Sequence, residues 1–308
     1  MHTILGAGGV IARELSQELL AHQLPLRLVS RRPHQVPGAE WKAADLTQAG
    51  QVREAVRGAS IVYLMPGLRY HLPTWESAWP LIMRNTLAAC RDEGARLVFF
   101  DNVYCLGNVD GPMTEATPWN PTSRKGEVRA RIARMLLDEV QAGNLKALIA
   151  RAADFYGPNC STSVFNTLVT DRLARGRRAQ WMLQAGVPHS LTYTPDCGRA
   201  LRVLASSEAA WNQVWHLPTA SPAWSAQELV EEACRLMGGS SRISLISRGM
   251  LRLIGLFNGV IREFYEMAYQ YDSPYLFDSS RIEQQLGLRP TSYAEGLRIL
   301  AASYRKPA

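Results

Sequence analysis

Residues Thr3 to Leu20 read TILGAGGVIARELSQELL. The short strand Thr3–Leu5 runs straight into a glycine-rich turn, and Ile11, Leu15, Leu19 and Leu20 then recur at helical spacing. A short strand thus feeds a helix through glycines. Gly6 suits the tight turn, Gly9 lets the backbone come close to a pyrophosphate, and Ala12 lets the helix pack close to the strand. Val10 and Ile11 open the helix, whose positive end and free N–H groups favour an anion.

Outward from this junction the same alternation repeats. Leu26–Val29 and Trp41–Ala44 read as strands and Val52–Gly58 as a helix. Ile61–Met65, "IVYLM", is an unbroken apolar run closed by Pro66 and Gly67, as expected of a strand buried on both faces. Trp75–Glu93 is helical, Ala95–Phe100 and Leu145–Ala150 are strands, and a cationic helix lies between these two. Strand–helix alternation of this kind predicts an α/β protein with a doubly wound parallel sheet. Beyond Ala150 the pattern loosens into helices at Val164–Ala174, Pro195–Ala205, Ser225–Met237, Arg248–Tyr269, Ser279–Leu286 and Ser292–Tyr304. We therefore expect a dinucleotide-binding domain over 1–158 and a smaller, mostly helical substrate-binding portion over 159–308, with the chain free to return to the sheet.

The composition agrees with this class. The 308 residues are 47% hydrophobic and 20% charged, enough for a sizeable core. The five cysteines are scattered without metal-ligand spacing, so buried reduced thiols and no metal are expected. The net charge of +7 is spread along the chain without a compact basic block, so nucleic acid is not the expected partner. The N-terminus lacks a signal peptide's features, and no apolar run is long enough to span a membrane. A cytoplasmic protein with no membrane partner is expected. Gly249–Tyr271 is apolar around its circumference and is expected to be buried, with Arg252, Arg262, Glu263 and Glu266 arguing against a membrane role.

The second strand ends LVSRRP. An NAD site usually offers a carboxylate there for the ribose hydroxyls. Ser30, Arg31 and Arg32 instead suit a 2′-phosphate, so NADP is expected, with NAD as the other possibility. Asp45, beside Leu46, is a candidate acceptor for the adenine amino group. Pro66 closes the cofactor side of the fourth strand. Tyr70, His71, Trp75 and Trp79 follow that strand at the carboxyl edge, where ligands bind, and Tyr70 and Trp75 are candidate substrate contacts.

The chain resembles an atypical, extended short-chain dehydrogenase/reductase of the NAD-dependent epimerase/dehydratase family. The resemblance rests on the glycine turn (Gly6, Gly9, Ala12), "ADLT" at Asp45, "RAADFYGPN" at Arg151–Asn159, "HSLTYTPDCGRAL" at His189–Leu201 and "WHLP" at Trp215–Pro218. It implies a Rossmann domain, a small-molecule substrate and a homodimer. It also implies that Phe155, Tyr156 and Gly157 pass near the nicotinamide, Phe155 on the substrate side.

Family members carry a Ser or Thr after the fifth strand and Tyr-x-x-x-Lys on the next helix. Here, if Gly107 aligns with the family's glycine, Asn102 takes the serine position. With Gly126 as the glycine after the tyrosine, Lys125 and Arg129 take the tyrosine and lysine positions; a shifted register gives Ser123 and Glu127. Arg129 holds its proton too tightly for acid–base work. Lys125 is the candidate proton donor, with Asn102 and Tyr104 orienting a carbonyl and Tyr104 a candidate acid itself. The expected activity is an NADP-dependent oxidoreductase acting on a carbonyl or alcohol of an apolar or aromatic small molecule. The alternatives are a nucleotide-sugar epimerase or dehydratase and a non-catalytic NADP sensor.

Overall fold

The computed structural model describes residues 1–305. In chain order its elements are β1 (His2–Leu5), α1 (Val10–Ala21), β2 (Leu26–Ser30), β3 (Ala39–Ala43), α2 (Ala49–Val56), β4 (Ile61–Leu64), α3 (Leu72–Glu93), β5 (Arg96–Asp101), α4 (Arg124–Gln141) and β6 (Ala147–Arg151). There follow β7 (Asp154–Tyr156), α5 (Asp171–Leu173), β8 (Gln180–Met182), β9 (Leu191–Tyr193), α6 (Thr194–Ser206), β10 (Val214–His216), α7 (Ala226–Met237), β11 (Ser244–Ile246), α8 (Arg248–Phe257), α9 (Gly259–Phe264), α10 (Ser280–Leu286) and α11 (Tyr293–Ser303).

The central sheet has the order β10-β6-β5-β4-β1-β2-β3. The pairings from β6 across to β3 are all parallel, with Leu5 level with Val29 and Leu64. Strand order reverses between β1 and β4, so the turns after these strands form the switch-point crevice of a doubly wound sheet. This is the α/β Rossmann architecture that the alternating pattern predicts.

Two compact units make up the chain. One comprises Met1–Gly107, Trp119–Arg151 and Cys197–Trp215; the other comprises Asn108–Pro118, Ala152–Asp196 and the chain from His216 onward. In the first, Leu5, Val29, Leu64, Leu97 and Phe99 meet Trp79, Ile132 and Leu136 from α3 and α4. Side chains of this kind each contribute about 1.5–3 kcal/mol when fully buried. In the second, Tyr156, Phe165, Trp181, Tyr193, Tyr271 and Tyr293 pack with Leu229 and Leu297. This unit also holds two small parallel pairs, β7 with β9 and β8 with β11.

One expectation fails here. The segment Gly249–Tyr271 is neither one helix nor buried all round. Asn258 ends α8 and starts α9, its side-chain Oδ1 accepting from the N–H groups of Val260 and Ile261. Residues Tyr265–Tyr271 then tighten into a 3-10 helix. Leu251 and Gly255 face inward, while Leu253, Leu256, Phe257 and Val260 are exposed. The helix predicted at Val164–Ala174 is also irregular, with a π-helical stretch at Asn166–Thr170 before α5.

Candidate functional site

The glycine turn lies at the end of β1. Gly6 has φ +95°, and a Cβ there would run into Pro66, whose N would be only 2.6 Å away. Only glycine allows this approach of the turns after β1 and β4. The Gly6 and Ala7 N–H groups donate to Val29 O at 3.0 and 3.1 Å. Cβ atoms built on Gly8 and Gly9 would meet nothing within 4 Å. Gly9 is the N-cap of α1 and supplies no side-chain cap, so the first N–H groups of the helix, beginning at Val10 and Ile11, keep their pull on an anion. An open cradle at a helix N-terminus fits the pyrophosphate of a dinucleotide.

At the end of β2, Ser30 Oγ donates to Arg32 O at 2.6 Å and accepts from Trp41 Nε1 at 3.0 Å. The serine therefore shapes the loop. Arg31 and Arg32 are exposed, with no ion pair or hydrogen bond of either side chain among the described residues. Asp45 accepts from Thr47 N and Oγ1 at 2.9 and 2.8 Å. These hydrogen bonds, with help from nearby Arg31, hold its carboxyl below the usual range. Leu46 is buried beside it.

Helix α4 starts at a defined cap. Ser123 Oγ accepts from Gly126 N at 3.0 Å, which fixes the first turn of α4. A Cβ on Gly126 would lie 2.5 Å from Tyr104 O, so the glycine lets this turn sit against the 3-10 turn at Tyr104–Leu106. Lys125 and Arg129 share the buried stripe of α4 with Ile132, Ala133 and Leu136, whereas Arg124, Arg131 and Arg134 are exposed. The cationic appearance of this helix thus divides into a solvated face and two interior cations.

Each interior cation has an aromatic neighbour. Lys125 Nζ stands 4.7 Å above the Tyr70 ring. Tyr70 meets Trp75 edge-on at 5.6 Å, and Trp75 stacks on Tyr104 at 6.3 Å. Asn102 Oδ1 accepts from Tyr104 N at 3.1 Å and so holds the turn that presents Tyr104. Tyr70, Trp75, Asn102, Tyr104 and Lys125 are therefore brought together. Trp75 and Trp79 are buried within the core, leaving half-buried Tyr70 and Tyr104 as the more accessible aromatics.

Arg129 has a different setting. Its Nε donates to Asp101 Oδ1 at 2.7 Å, and its guanidinium lies 4.4 Å from the Trp79 ring and 4.9 Å from Phe99. Asp101 Oδ2 also faces Arg151 Nε at 3.4 Å, and Arg151 lies 4.7 Å over Trp119. One buried carboxylate thus serves two buried guanidiniums. Cys105 lies in the same region, and burial, opposed by Arg151, pushes its thiol up to about 12, which makes it inert.

Asp101 and Arg151 were not singled out from the sequence. The available signal is a charged residue directly after each of two apolar runs, "LVFF" before Asp101 and "ALIA" before Arg151, at the carboxyl edge of the sheet. His71 pairs with Thr74 Oγ1 at 3.0 Å at the start of α3, and buried His216 meets Asp278 O at 2.8 Å and stacks on Phe277.

In the second unit, the Tyr156 side chain packs among Phe165, Tyr193 and Tyr293, and burial raises its phenol well above the ordinary value. Its ring is thus part of a core. Gly157 has φ +147° and closely approaches Thr194, and Phe155 is half-buried. The sequence reading also passed over a histidine network here. His189 Nε2 lies 3.0 Å from Asp154 Oδ2, to which the Tyr271 hydroxyl donates at 2.7 Å, and the imidazole stacks between Tyr271 and Tyr275. Among the described residues no cluster of His, Cys, Asp and Glu could hold a metal ion.

The sequence pattern of the "NAD dependent epimerase/dehydratase family" matches residues 2–212. No curated protein sequence matches this chain. Among solved structures, a double mutant of DesIV, a dTDP-glucose 4,6-dehydratase from Streptomyces venezuelae with NAD and DAU bound, superposes with a TM-score of 0.80 at 18% identity, covering 99% of this chain and 97% of its own. A UDP-glucose 4-epimerase from Thermus thermophilus in complex with NAD gives 0.79 at 17% identity over 100% of both chains. A UDP-glucose 4-epimerase from Thermotoga maritima with UDP-glucose gives 0.80 at 15% identity over 99% and 98%. At these identities the likeness concerns the fold.

Proposed function

This chain belongs to the NAD-dependent epimerase/dehydratase family, and from that premise we propose that it is an NADP-dependent oxidoreductase acting on a carbonyl or alcohol of an apolar or aromatic small molecule. The observation that carries the reading is Lys125, a buried lysine whose Nζ lies 4.7 Å from the Tyr70 ring; with Gly126 taken as the glycine after the family's tyrosine, it takes the tyrosine position. The reduced nicotinamide, when bound, supplies hydride. The Gly6–Gly9 turn and the start of α1 hold its pyrophosphate, and Arg31 and Arg32 hold the 2′-phosphate. Lys125 moves the proton at Nζ to or from the substrate oxygen. Asn102 fixes the turn that presents Tyr104, and Tyr70 and Tyr104 flank the substrate. Arg129, held by Asp101, keeps the α4 stripe in place.

The test is NADPH oxidation against a panel of aromatic and aliphatic carbonyls. Lys125→Met is expected to abolish turnover while NADPH affinity stays within a few-fold; an unchanged rate overturns the assignment. A non-catalytic NADP sensor is the second reading, favoured by the Arg129–Asp101 pair, which occupies the cation at the family's lysine position. It predicts NADPH binding without consumption by any carbonyl. A nucleotide-sugar epimerase or dehydratase draws support from the solved neighbours; against it, neither the register that gives Lys125 and Arg129 nor the one that gives Ser123 and Glu127 restores a Tyr-x-x-x-Lys for its proton transfer.

A further inference from the structure

The outer face of α8 and α9 is apolar. Phe257 is 89% exposed, Leu256 70%, Leu253 61% and Val260 58%, with Met250 and Ile254 exposed beside them. Positions 253, 256 and 257 fall at i, i+3 and i+4, the spacing of one face of α8, and Val260 is exposed on α9 beyond the break at Asn258. The opposite face of α8 is already in use: Leu251 is buried, and a Cβ on Gly255 would lie 3.2 Å from Arg262 Cα, where α9 folds back. A fold that needed only to bury one face of α8 would carry polar residues at 253, 256 and 257.

Within the segment that carries this ridge the charge has one sign. From Gly238 to Arg262 the chain has Arg242, Arg248, Arg252 and Arg262 and no acid. Arg248 pairs with Asp272, and Arg252 lies 5.9 Å from the Tyr265 ring. The next acids, Glu263 and Glu266, are half-buried. Pairing of β8 with β11 places Gln180 opposite Ser244. Arg177 and Arg178 line a cleft with Gly238, Gly239 and Ser240.

We propose that the α8–α9 face docks on a membrane surface rich in anionic lipid. Leu253, Leu256, Phe257 and Val260 enter the boundary between headgroups and acyl chains, and the flanking arginines meet the headgroup phosphates. No described helix is long and apolar enough to cross a membrane, so the contact is interfacial. Charge decides between a bilayer and a second copy of the chain. A twofold contact through this ridge would bring the arginines of both copies together, whereas an anionic surface complements them. The expectation of no membrane partner weighed the charges that interrupt a spanning segment; the same arginines favour a surface contact.

The full chain is mixed with vesicles of phosphatidylcholine alone and of phosphatidylcholine with phosphatidylglycerol, and vesicle-bound protein is separated by flotation. Binding to the mixed vesicles only is expected, weakening with added salt. Leu253→Ser together with Phe257→Ser should lower the partition coefficient ~tenfold or more, since both side chains supply buried apolar area. Both positions are exposed, so an unchanged melting temperature shows that the variant is folded. Several results overturn the proposal: no flotation with mixed vesicles, equal flotation with neutral ones, or undiminished binding of the folded double variant. A dimer in light scattering that the same pair of substitutions dissociates also overturns it, and assigns the ridge to a second copy.

Discussion

Replacing Asp101 by Asn removes the single carboxylate between two buried guanidiniums. In the native chain Asp101 is 2.7 Å from Arg129 Nε and 3.4 Å from Arg151 Nε, and its side chain has 0% exposure, against 4% for Arg129 and 0% for Arg151. Asparagine keeps one acceptor but turns an N–H donor toward a cation. Breaking a buried ion pair from one side costs about 3–5 kcal/mol, because the remaining charge keeps its desolvation penalty. With two cations dependent on one acid, we expect the upper end of that range. Against a typical total of about 5–15 kcal/mol this is a large fraction, on the order of a 10 °C fall in Tm. Urea unfolding followed by tryptophan fluorescence measures it. Adding Arg129→Met should recover part of the loss, since the methionine would sit among Trp79, Phe99 and Trp75 without a charge. A midpoint for Asp101→Asn within about 0.5 kcal/mol of wild type, well below any buried-pair loss, would refute the reasoning. So would a double variant no more stable than the single.

Two further outcomes follow from other parts of the fold. Gly6→Ala should cost about 2–4 kcal/mol, from the φ of +95° and the overlap with Pro66 backbone, and urea midpoints check it. Stability should also fall in alkali: burial holds the Cys105 thiol and the Tyr293 phenol at about 12, above their ordinary 9.0 and 10.0. The unfolded chain loses these protons first, so this contribution is complete below the ordinary values and is lost as pH rises toward the folded ones. The slope is about 1.4 kcal/mol per pH unit per group. A flat urea midpoint from pH 9 to 11 would contradict it.

The parallel sheet was legible because its strands are apolar runs closed by turn residues, as in Ile61–Leu64 before Pro66 and Gly67. The glycine turn was legible because glycines at a first strand–helix junction have a backbone reason to be there. That Lys125 and Arg129 share a face of α4 followed from their four-residue spacing, whereas the burial of two cations did not. The partner of Arg129 did not, because Asp101 lies 28 residues away on another element. Nor did β8 and β11, since three-residue strands are too short to show a period. The error at α8 and α9 has a different origin: an apolar circumference was read as burial, although hydrophobicity alone does not say what covers a face. Asn258 followed by Gly259 was a readable break in that helix, as its capping bonds to Val260 and Ile261 bear out.

The central claim, that this chain binds NADP through the glycine turn and the arginines after β2, is tested most directly by paired titration with NADPH and NADH. Trp41, bonded to Ser30 at 3.0 Å beside those arginines, supplies the fluorescence signal. The account predicts NADPH binding at least ~tenfold tighter than NADH, a difference of about 1.4 kcal/mol, largely lost in Arg31→Ala with Arg32→Ala. Equal or stronger binding of NADH would contradict it.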